Sequence, residues 1–338
     1  MAQERNGITL VGNMLVDVVK NIDCYPTIGM LSHITSVSRA VGGCVPNTAI
    51  DLAKIDGSIP LSAIGKVGND EYGQYVISQL RAHNIDCEKV IVSSDAPTSF
   101  SDVMNLPSGE RTFFHCTGAN AIFAPEEVDI AAVPGKILHA GYLLLLDMFD
   151  KEDPEYGTAM ARFLHDVQKA GIKTSVDVVS SSTLDFAAII KPALKYCDYI
   201  IFNEIECCNI WGIEPYKGEK PDIDAIRKAM ELTMAEGVGE KVIVHCKQAG
   251  FCLSKDGTFT VVPSLKIPSE CIKGSVGAGD AFCAGSLYGI YNGFADTDIL
   301  TFASAAAACN LFSENSVDGM LDKAGVLETA KKYERITL

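Results

Sequence analysis

The residues best placed to do chemistry stand late in the chain, at Gly274-Ser275-Val276-Gly277-Ala278-Gly279-Asp280-Ala281-Phe282. Three glycines precede an aspartate, and a long apolar helix is expected to begin there. Glycine lets the backbone take positive φ and approach a ligand closely. A helix start leaves N–H donors free and carries the positive end of the macrodipole. Together these make an anion site without cationic side chains. Asp280, in the first turn, could accept a proton from a hydroxyl attacking a phosphoryl group held over the glycines. The same residues equally describe a Gly-rich turn with an ordinary helix-starting aspartate. No Gly-Lys-Ser/Thr follows, so this is not a Walker loop, and it is not a dinucleotide G-x-G-x-x-G.

Three further motifs carry oxygen chemistry. Val41-Gly42-Gly43-Cys44-Val45-Pro46-Asn47 opens a helical stretch through Ala53. Asn47 could offer amide and carbonyl to a polyol; taken alone, the segment reads better as a helix entry with Asn as cap. Gly12-Asn13-Met14-Leu15-Val16-Asp17 closes the first strand. Ligands gather at the carboxyl ends of parallel strands. Asp17 can accept from two vicinal hydroxyls, or it is a solvated turn residue. Asn203-Glu204-Ile205-Glu206 follows the strand Tyr199–Phe202. Asn203 and Glu206 share one face of a helical turn. They could hold water around Mg²⁺, or they cap a helix whose acidic first turn suits the dipole.

The elements that must position these residues are visible as alternating runs. Strand-like segments at Ile8–Val11, Leu61–Ile64, Lys136–Leu146, Thr174–Val179, Tyr199–Phe202 and Val242–Val244 alternate with helical patterns. The helices are expected at about Glu71–Ala82, Pro154–Ala170 and Leu184–Tyr196. That order predicts an α/β domain with a mainly parallel sheet. Ala281–Tyr291 and Asp298–Phe312 are Ala-rich and almost wholly apolar, which predicts helices packed deep against the sheet. Two stretches break the rhythm. Val16–Val37 alternates polar and apolar residues, and Thr98–Cys116 reads as two strands around Pro107-Ser108-Gly109-Glu110. We expect a single domain over 1–338 with a small β-sheet lid inserted at about 16–38 and 97–117. Two ordinary long loops are the plainer alternative.

Composition removes several functions. The 338 residues are 48% hydrophobic and 21% charged, as globular chains are. Lys+Arg number 28 against 43 Asp+Glu, a net charge of −15. Such a surface repels nucleic acid and anionic membrane. An anionic substrate then needs backbone N–H groups, a metal ion or a few well-placed cations. The run Ile137–Leu146 is about half the ~20 residues of a membrane span, and Met1–Asn6 shows no signal pattern. The 12 cysteines include no C-x-x-C pair, so a structural zinc or disulfide framework is not expected and a reducing cytoplasm is. His33, His83, His139, His165 and His245 show no ligand spacing and are assigned no metal.

The four motifs, in this order, resemble the PfkB, or ribokinase-like, carbohydrate kinase family over essentially the whole chain. Gly277–Phe282 is similar to its C-terminal signature. Gly42-Gly43 with Asn47, then Gly68-Asn69-Asp70-Glu71-Tyr72-Gly73, is similar to its N-terminal one. Asn203 with Glu206 resembles the family's N-x-x-E motif, and Gly118-Ala119-Asn120 with Pro125-Glu126-Glu127-Val128 also looks like ribokinase relatives. The resemblance implies a ribokinase-like three-layer α/β/α domain with a β-sheet lid. It implies transfer of the ATP γ-phosphoryl group to a hydroxyl of a small sugar. A nucleoside kinase of the same fold is the alternative, and a non-catalytic sugar- or nucleotide-binding regulator is disfavoured by the intact Asp280, Gly277 and Gly279. On this reading Asp280 is the base, and the Gly277, Ala278 and Gly279 amides form the anion hole. Asp17, Gly42, Gly43 and Asn47 hold the acceptor. Asn203 and Glu206 organise phosphates and Mg²⁺, Glu206 through water. A homodimer through the lid is expected.

Arg111 and His115, in the second insertion, could reach the acceptor or be ordinary strand residues. Several positions depart from the family pattern. Gly274-Ser275-Val276 replaces an Asp-Thr-Thr that serves a monovalent cation, so potassium activation is not expected. In His245-Cys246-Lys247-Gln248-Ala249-Gly250, Gly250 fits the nucleotide segment, while Lys247 stands where glycine is usual and either contacts phosphate or is solvated. Ser304 replaces an asparagine near adenine, and Cys44 stands where many ribokinases have lysine.

Overall fold

The first strand, β1 (Ile8–Gly12), is buried at every position, as a strand covered on both faces must be. It lies inside a nine-stranded sheet. On one side of it stand β4 (Leu61–Gly68) and β5 (Val90–Ser93), both parallel. On the other stand β8 (Ile137–Leu143) and then the strands Lys173–Val178, Tyr199–Asn203 and Lys241–His245, again parallel. An antiparallel pair, Ala249–Ser254 and Phe259–Pro263, completes that edge. The structure is a computed structural model, and it describes residues 5–108, 110–179 and 186–338. Gly109 of the expected turn and Leu184, the expected helix start, lie outside those residues.

Two apolar clusters cover the two faces of this sheet. One joins α1 (Cys44–Ile55) to the Ala-rich helices Ala278–Tyr291 and Asp296–Asn310 through residues such as Leu52, Leu287 and Phe302. The other gathers Phe149, Leu164, Ile190 and Met230. The Ala-rich helices approach closely because their contact residues are small: a Cβ at Gly285 would stand 2.7 Å from the Ala303 Cα.

A second, four-stranded sheet stands apart in the order β3-β2-β6-β7. Its strands are β2 (Leu15–Ile22), β3 (Ile34–Gly42), β6 (Ser99–Asn105) and β7 (Arg111–Cys116). The pairs β2/β3 and β6/β7 are antiparallel, and β2/β6 is parallel. The register places Ala40, Asp17, Ser101 and His115 in one row across the sheet. Paired residues share a face, so this row looks the same way.

Several boundaries move from the sequence expectation. The helix expected from Pro154 begins at Ala159, because the Thr158 hydroxyl caps it by accepting from Ala161 N at 3.2 Å. The residues before it pair as Glu152–Asp153 with Gly157–Thr158. The strand expected to stop at Gly65 continues to Gly68. The edge hairpin Ala249–Pro263 was not anticipated. No helix among the described residues is long and apolar enough to cross a membrane. All twelve cysteines are free.

The end of β1 is where fold and site meet. Gly12 takes φ +137, and a Cβ there would fall 1.9 Å from the Gly141 carbonyl oxygen of β8. Asn13, fully buried, then ties the two strand ends. Its N donates to Gly141 O at 2.8 Å, its Nδ2 donates to Leu145 O at 2.8 Å, and its Oδ1 accepts from Tyr142 N at 2.5 Å. Gly12→Ala combines a backbone clash with a disfavoured φ, and should cost about 3 kcal/mol or more in chemical denaturation. Wild-type stability would contradict this account of the strand ends.

Candidate active site

The loop before the Ala278–Tyr291 helix is shaped by close packing. Gly277 is left-handed at φ +79, and a Cβ would stand 2.6 Å from the Ser316 backbone. Gly274 is equally tight, 2.9 Å from Ser313 O. Gly279 faces the His245 ring instead, 3.6 Å from its Cε1. The helix begins with Ala278 N donating back to Ser275 O at 3.3 Å and with Asp280 in its first turn.

Asp280 is held from two other segments. Tyr142 OH donates to Asp280 Oδ1 at 2.6 Å, and Asn47 Nδ2 donates to Oδ2 at 2.9 Å. Burial pushes the Asp280 carboxyl up from its ordinary range, and these two donors pull it back by favouring the charged form. Tyr142 itself is held far above the usual phenol range, by burial and then by the Asp280 charge, so it remains a donor.

Three cavities meet at residues 274–280. A groove of 690 Å³ runs between the small sheet and the main domain. Its lining includes Asn21, Ser38, Asn105, Arg111 and Phe113 from the sheet, and Gly274, Ser275 and Val276 from the loop. A cavity of 500 Å³ is lined by His245, Lys247, Gly279, Phe282 and Ser304 among others. A third cavity, of 250 Å³, shares His245 and Gly279 with the second and is bounded also by Tyr142, Asp177, Asn203, Glu206, Gly277 and Asp280.

Each predicted residue has a definite place. Asp17 lies against Gly42, where a Cβ would stand 2.5 Å from its Oδ2. Gly42 must therefore be small for the carboxylate to occupy this corner. The Asp17 carboxyl is pushed up to about 7, first by burial and then by the Asp280 charge, with Arg111 opposing. A carboxyl raised from its ordinary 3.8 contributes stability only below that pH, and it is lost as pH rises through about 7. Asp17 thus weakens the fold at neutral pH. Gly43 takes φ +87, and a Cβ there would stand 2.7 Å from Asn13 O. Asn47 keeps its Oδ1 without a partner while buried. Asn203 and Glu206 form a capping box: Asn203 N donates to Glu206 Oε2 at 2.9 Å and Glu206 N to Asn203 Oδ1 at 2.8 Å. Ser304 Oγ is buried without a partner on the 500 Å³ cavity.

Six predicted residues line none of these three cavities: Asp17, Gly42, Gly43 and Asn47, which pack beside Asn13 and Asp280, and His115 and Gly250. His115 is exposed on the small sheet, its Nδ1 3.0 Å from Ser101 Oγ. Gly250 lies behind the Phe282 ring, where a Cβ would be 3.1 Å from Cζ. It makes room for that ring rather than facing the cavity.

Three side chains here were missed in the sequence. Tyr142 and Asp177 each stand near a strand's carboxyl end, and His245 ends another. The strand ends themselves were the available signal. His245 borders both the 250 Å³ and 500 Å³ cavities, and burial pushes its imidazole down to about 4, keeping it neutral. Asp177 is held far above the carboxylate range by burial and then by the Glu206 and Asp280 charges. Negative groups that raise one another in this way are what a cation relieves. The oxygen donors Asp177, Asn203 and Glu206 fit a hard divalent ion that keeps its waters.

The chain matches the model of the "pfkB family carbohydrate kinase" over residues 6–323. It is 24% identical to fructokinase-1 of Zea mays over 98% of this chain and 100% of that protein. It is 23% identical to 5-dehydro-2-deoxygluconokinase of Geobacillus kaustophilus, over 92% and 89%. The structure of Arabidopsis thaliana ribokinase complexed with ribose and ATP superposes with a TM-score of 0.79 at 22% identity, covering 97% of this chain and 99% of that one.

Because Tyr142 donates to the charged form of Asp280, Tyr142→Phe should raise the pH at which that carboxyl titrates, read from its ¹³C shift. An unchanged titration would show that this hydrogen bond does not hold the carboxylate.

Proposed function

The chain belongs to the pfkB family of carbohydrate kinases, and from that premise we propose that it transfers the ATP γ-phosphoryl group to a sugar hydroxyl using Asp280 as general base. One observation carries the reading: the loop 274–280 borders all three cavities, and Asp280 lines the smallest of them. The acceptor occupies the large groove. Its hydroxyls bond to Asp17 and to Asn47 Oδ1, and the hydroxyl to be phosphorylated donates to Asp280. The nucleotide lies along the 500 Å³ cavity, its base beside Ser304 and its phosphates toward Lys247 and Gly279. The Gly277, Ala278 and Gly279 amides receive the charge that develops on the transferring group. Asp280 takes the hydroxyl proton as the oxygen attacks phosphorus. Asn47 and Tyr142 position it.

Asp177, Asn203 and Glu206 would hold Mg²⁺ and its waters, and the ion supplies neutralising charge to the phosphates. Gly274 leaves no room for the carboxylate that relatives carry there, so activity is independent of potassium. The small sheet acts as a lid whose closure excludes competing water. Its outer face exposes Val37 and Phe114 at 58% and 55%, which supports a homodimer through the lid. Twelve free thiols suit a cytoplasmic setting.

The groove favours a polyol over a nucleoside, because Asn21, Ser38, Asn105 and Arg111 line it and only Phe113 offers a ring for a base. ADP release from Mg-ATP should therefore appear with a ketose, aldose or sugar acid in an acceptor panel. A nucleoside as the only productive acceptor would overturn the sugar assignment. Silence across the panel, with ATP and a sugar both still bound, would replace catalysis by a binding role.

Asp17 gives a pH prediction. Its carboxyl loses its proton near 7, and only the carboxylate accepts from two hydroxyls at once. Acceptor KM should fall as pH rises through about 7. In Asp17→Asn that fall should vanish and KM should rise about tenfold or more, the scale of a lost charged hydrogen bond. The same profile in both proteins would remove Asp17 from the acceptor site.

A further inference from the structure

Beneath the 250 Å³ cavity lies a cluster that the transfer reaction does not use. Cys44 opens α1, His139 lies in β8, Asp177 stands near the end of its strand, and Cys283 lies one turn beyond Asp280. One ligand atom each from Cys44, His139 and Asp177 lies within 4.8 Å of the others. Cys283 Sγ is 3.5 Å from His139 Nε2 and stands just outside that three-residue group. Cys44, His139 and Cys283 are 0% exposed and Asp177 is 7% exposed.

The geometry is that of a ligand set rather than of apolar packing. Cysteine alone would pass as a small hydrophobe, but an imidazole and a carboxylate share this space. The His139 ring is oriented by Ser175 Oγ, 2.9 Å from Nδ1. With Nδ1–H donating there, Nε2 presents its lone pair to the cluster. This is the outer-shell contact typical of a metal-bound histidine. Zinc binds sulfur at about 2.3 Å and nitrogen at about 2.0–2.1 Å, so two ligands of one tetrahedral ion stand about 3.6 Å apart. The Cys283–His139 separation already matches. Room for the sulfur comes from Gly141: a Cβ there would lie 2.5 Å from Cys44 Sγ and 3.5 Å from the Asp177 Cβ. Asp177 also borders the 250 Å³ cavity, which gives an ion its way in.

We propose that Cys44, His139, Asp177 and Cys283 form a site for a zinc-class cation, and that filling it inhibits the enzyme by drawing Asp177 out of the oxygen-lined cavity. The site differs from the proposed Mg²⁺ position in its two sulfurs and one nitrogen, which select softer ions. On binding, both S–H bonds and the Asp177 carboxyl O–H bond break, three protons leave to solvent, and two metal–sulfur bonds, one metal–nitrogen and one metal–oxygen bond form, with no change of oxidation state. Inhibition rests on the kinase reading; binding does not.

The test is a titration of the chelator-treated full chain with Co²⁺, a spectroscopic probe for tetrahedral thiolate sites. One equivalent should bind with a thiolate-to-cobalt charge-transfer band and be displaced by Zn²⁺. Cys44→Ala and Cys283→Ala should each weaken binding tenfold or more and remove most of the band. Cys207→Ala, at a buried thiol elsewhere, should leave it unchanged. A missing band in the wild type, or a full band in both Cys44→Ala and Cys283→Ala, would overturn the site. With excess Mg²⁺, stoichiometric Zn²⁺ should suppress phosphoryl transfer by the wild type and spare Cys283→Ala. Full wild-type activity with the site loaded would overturn the inhibition. Absence of phosphoryl transfer in every protein would count against the kinase reading, while the cobalt spectrum would still decide the site.

Discussion

A buried carboxylate at the start of a helix organises this molecule. Asp280 is taken out of water, which disfavours its charge, and two donors from distant segments oppose that cost: Tyr142 in β8 and Asn47 in α1. Each donor depends in turn on a constrained backbone. Tyr142 N is fixed by Asn13, and Asn13 can approach only because Gly12 has no Cβ. Asn47 follows Gly43, whose positive φ brings α1 onto the same Asn13 carbonyl. A single charge thus draws together the ends of β1 and β8 and the beginnings of two helices.

The acidity of the chain explains how the rest is arranged. At a net charge of −15, the proposed function requires a polyanionic nucleotide to be met by glycine-flanked amides and a helix start rather than by a basic surface. Asp177, Glu206 and Asp280 concentrate acidic groups around one small cavity, and Asp17 is close enough to feel the Asp280 charge. That concentration is costly for the empty protein, as the raised Asp17 and Asp177 carboxyls show. It gives a divalent cation and a polyol good reason to bind. The small sheet contributes Asn21, Ser38, Asn105 and Arg111 to the groove and carries Asp17 within reach of the Asp280 charge.

Much of this could be read from the chain because its signals are local. Glycines that need positive φ or close approach, as at 12, 43 and 277, stand beside the chemistry they permit. The apolar runs of buried parallel strands are similarly plain, and the helix Glu71–Ala82 has the bounds its pattern predicts. What escaped was non-local or isolated. Asp177, Tyr142 and His245 are single polar residues at strand ends, with nothing beside them to distinguish them from solvated turn residues. The edge hairpin Ala249–Pro263 carries a visible Asp256-Gly257 turn, but its apolar run reads as well for a parallel strand. Cys44, His139 and Cys283 are separated by more than ninety residues at each step, roughly the scale of a whole small domain; only the sheet order brings them together.

The central claim is that Asp280 removes the proton from the attacking hydroxyl. Its most direct test is steady-state kinetics of Asp280→Asn with Mg-ATP and the productive acceptor, beside acceptor Kd measured by calorimetry. Asparagine keeps the size and loses the basicity. The account predicts a fall in kcat of about 10²–10⁴ with acceptor Kd nearly unchanged. Near-normal turnover would contradict it.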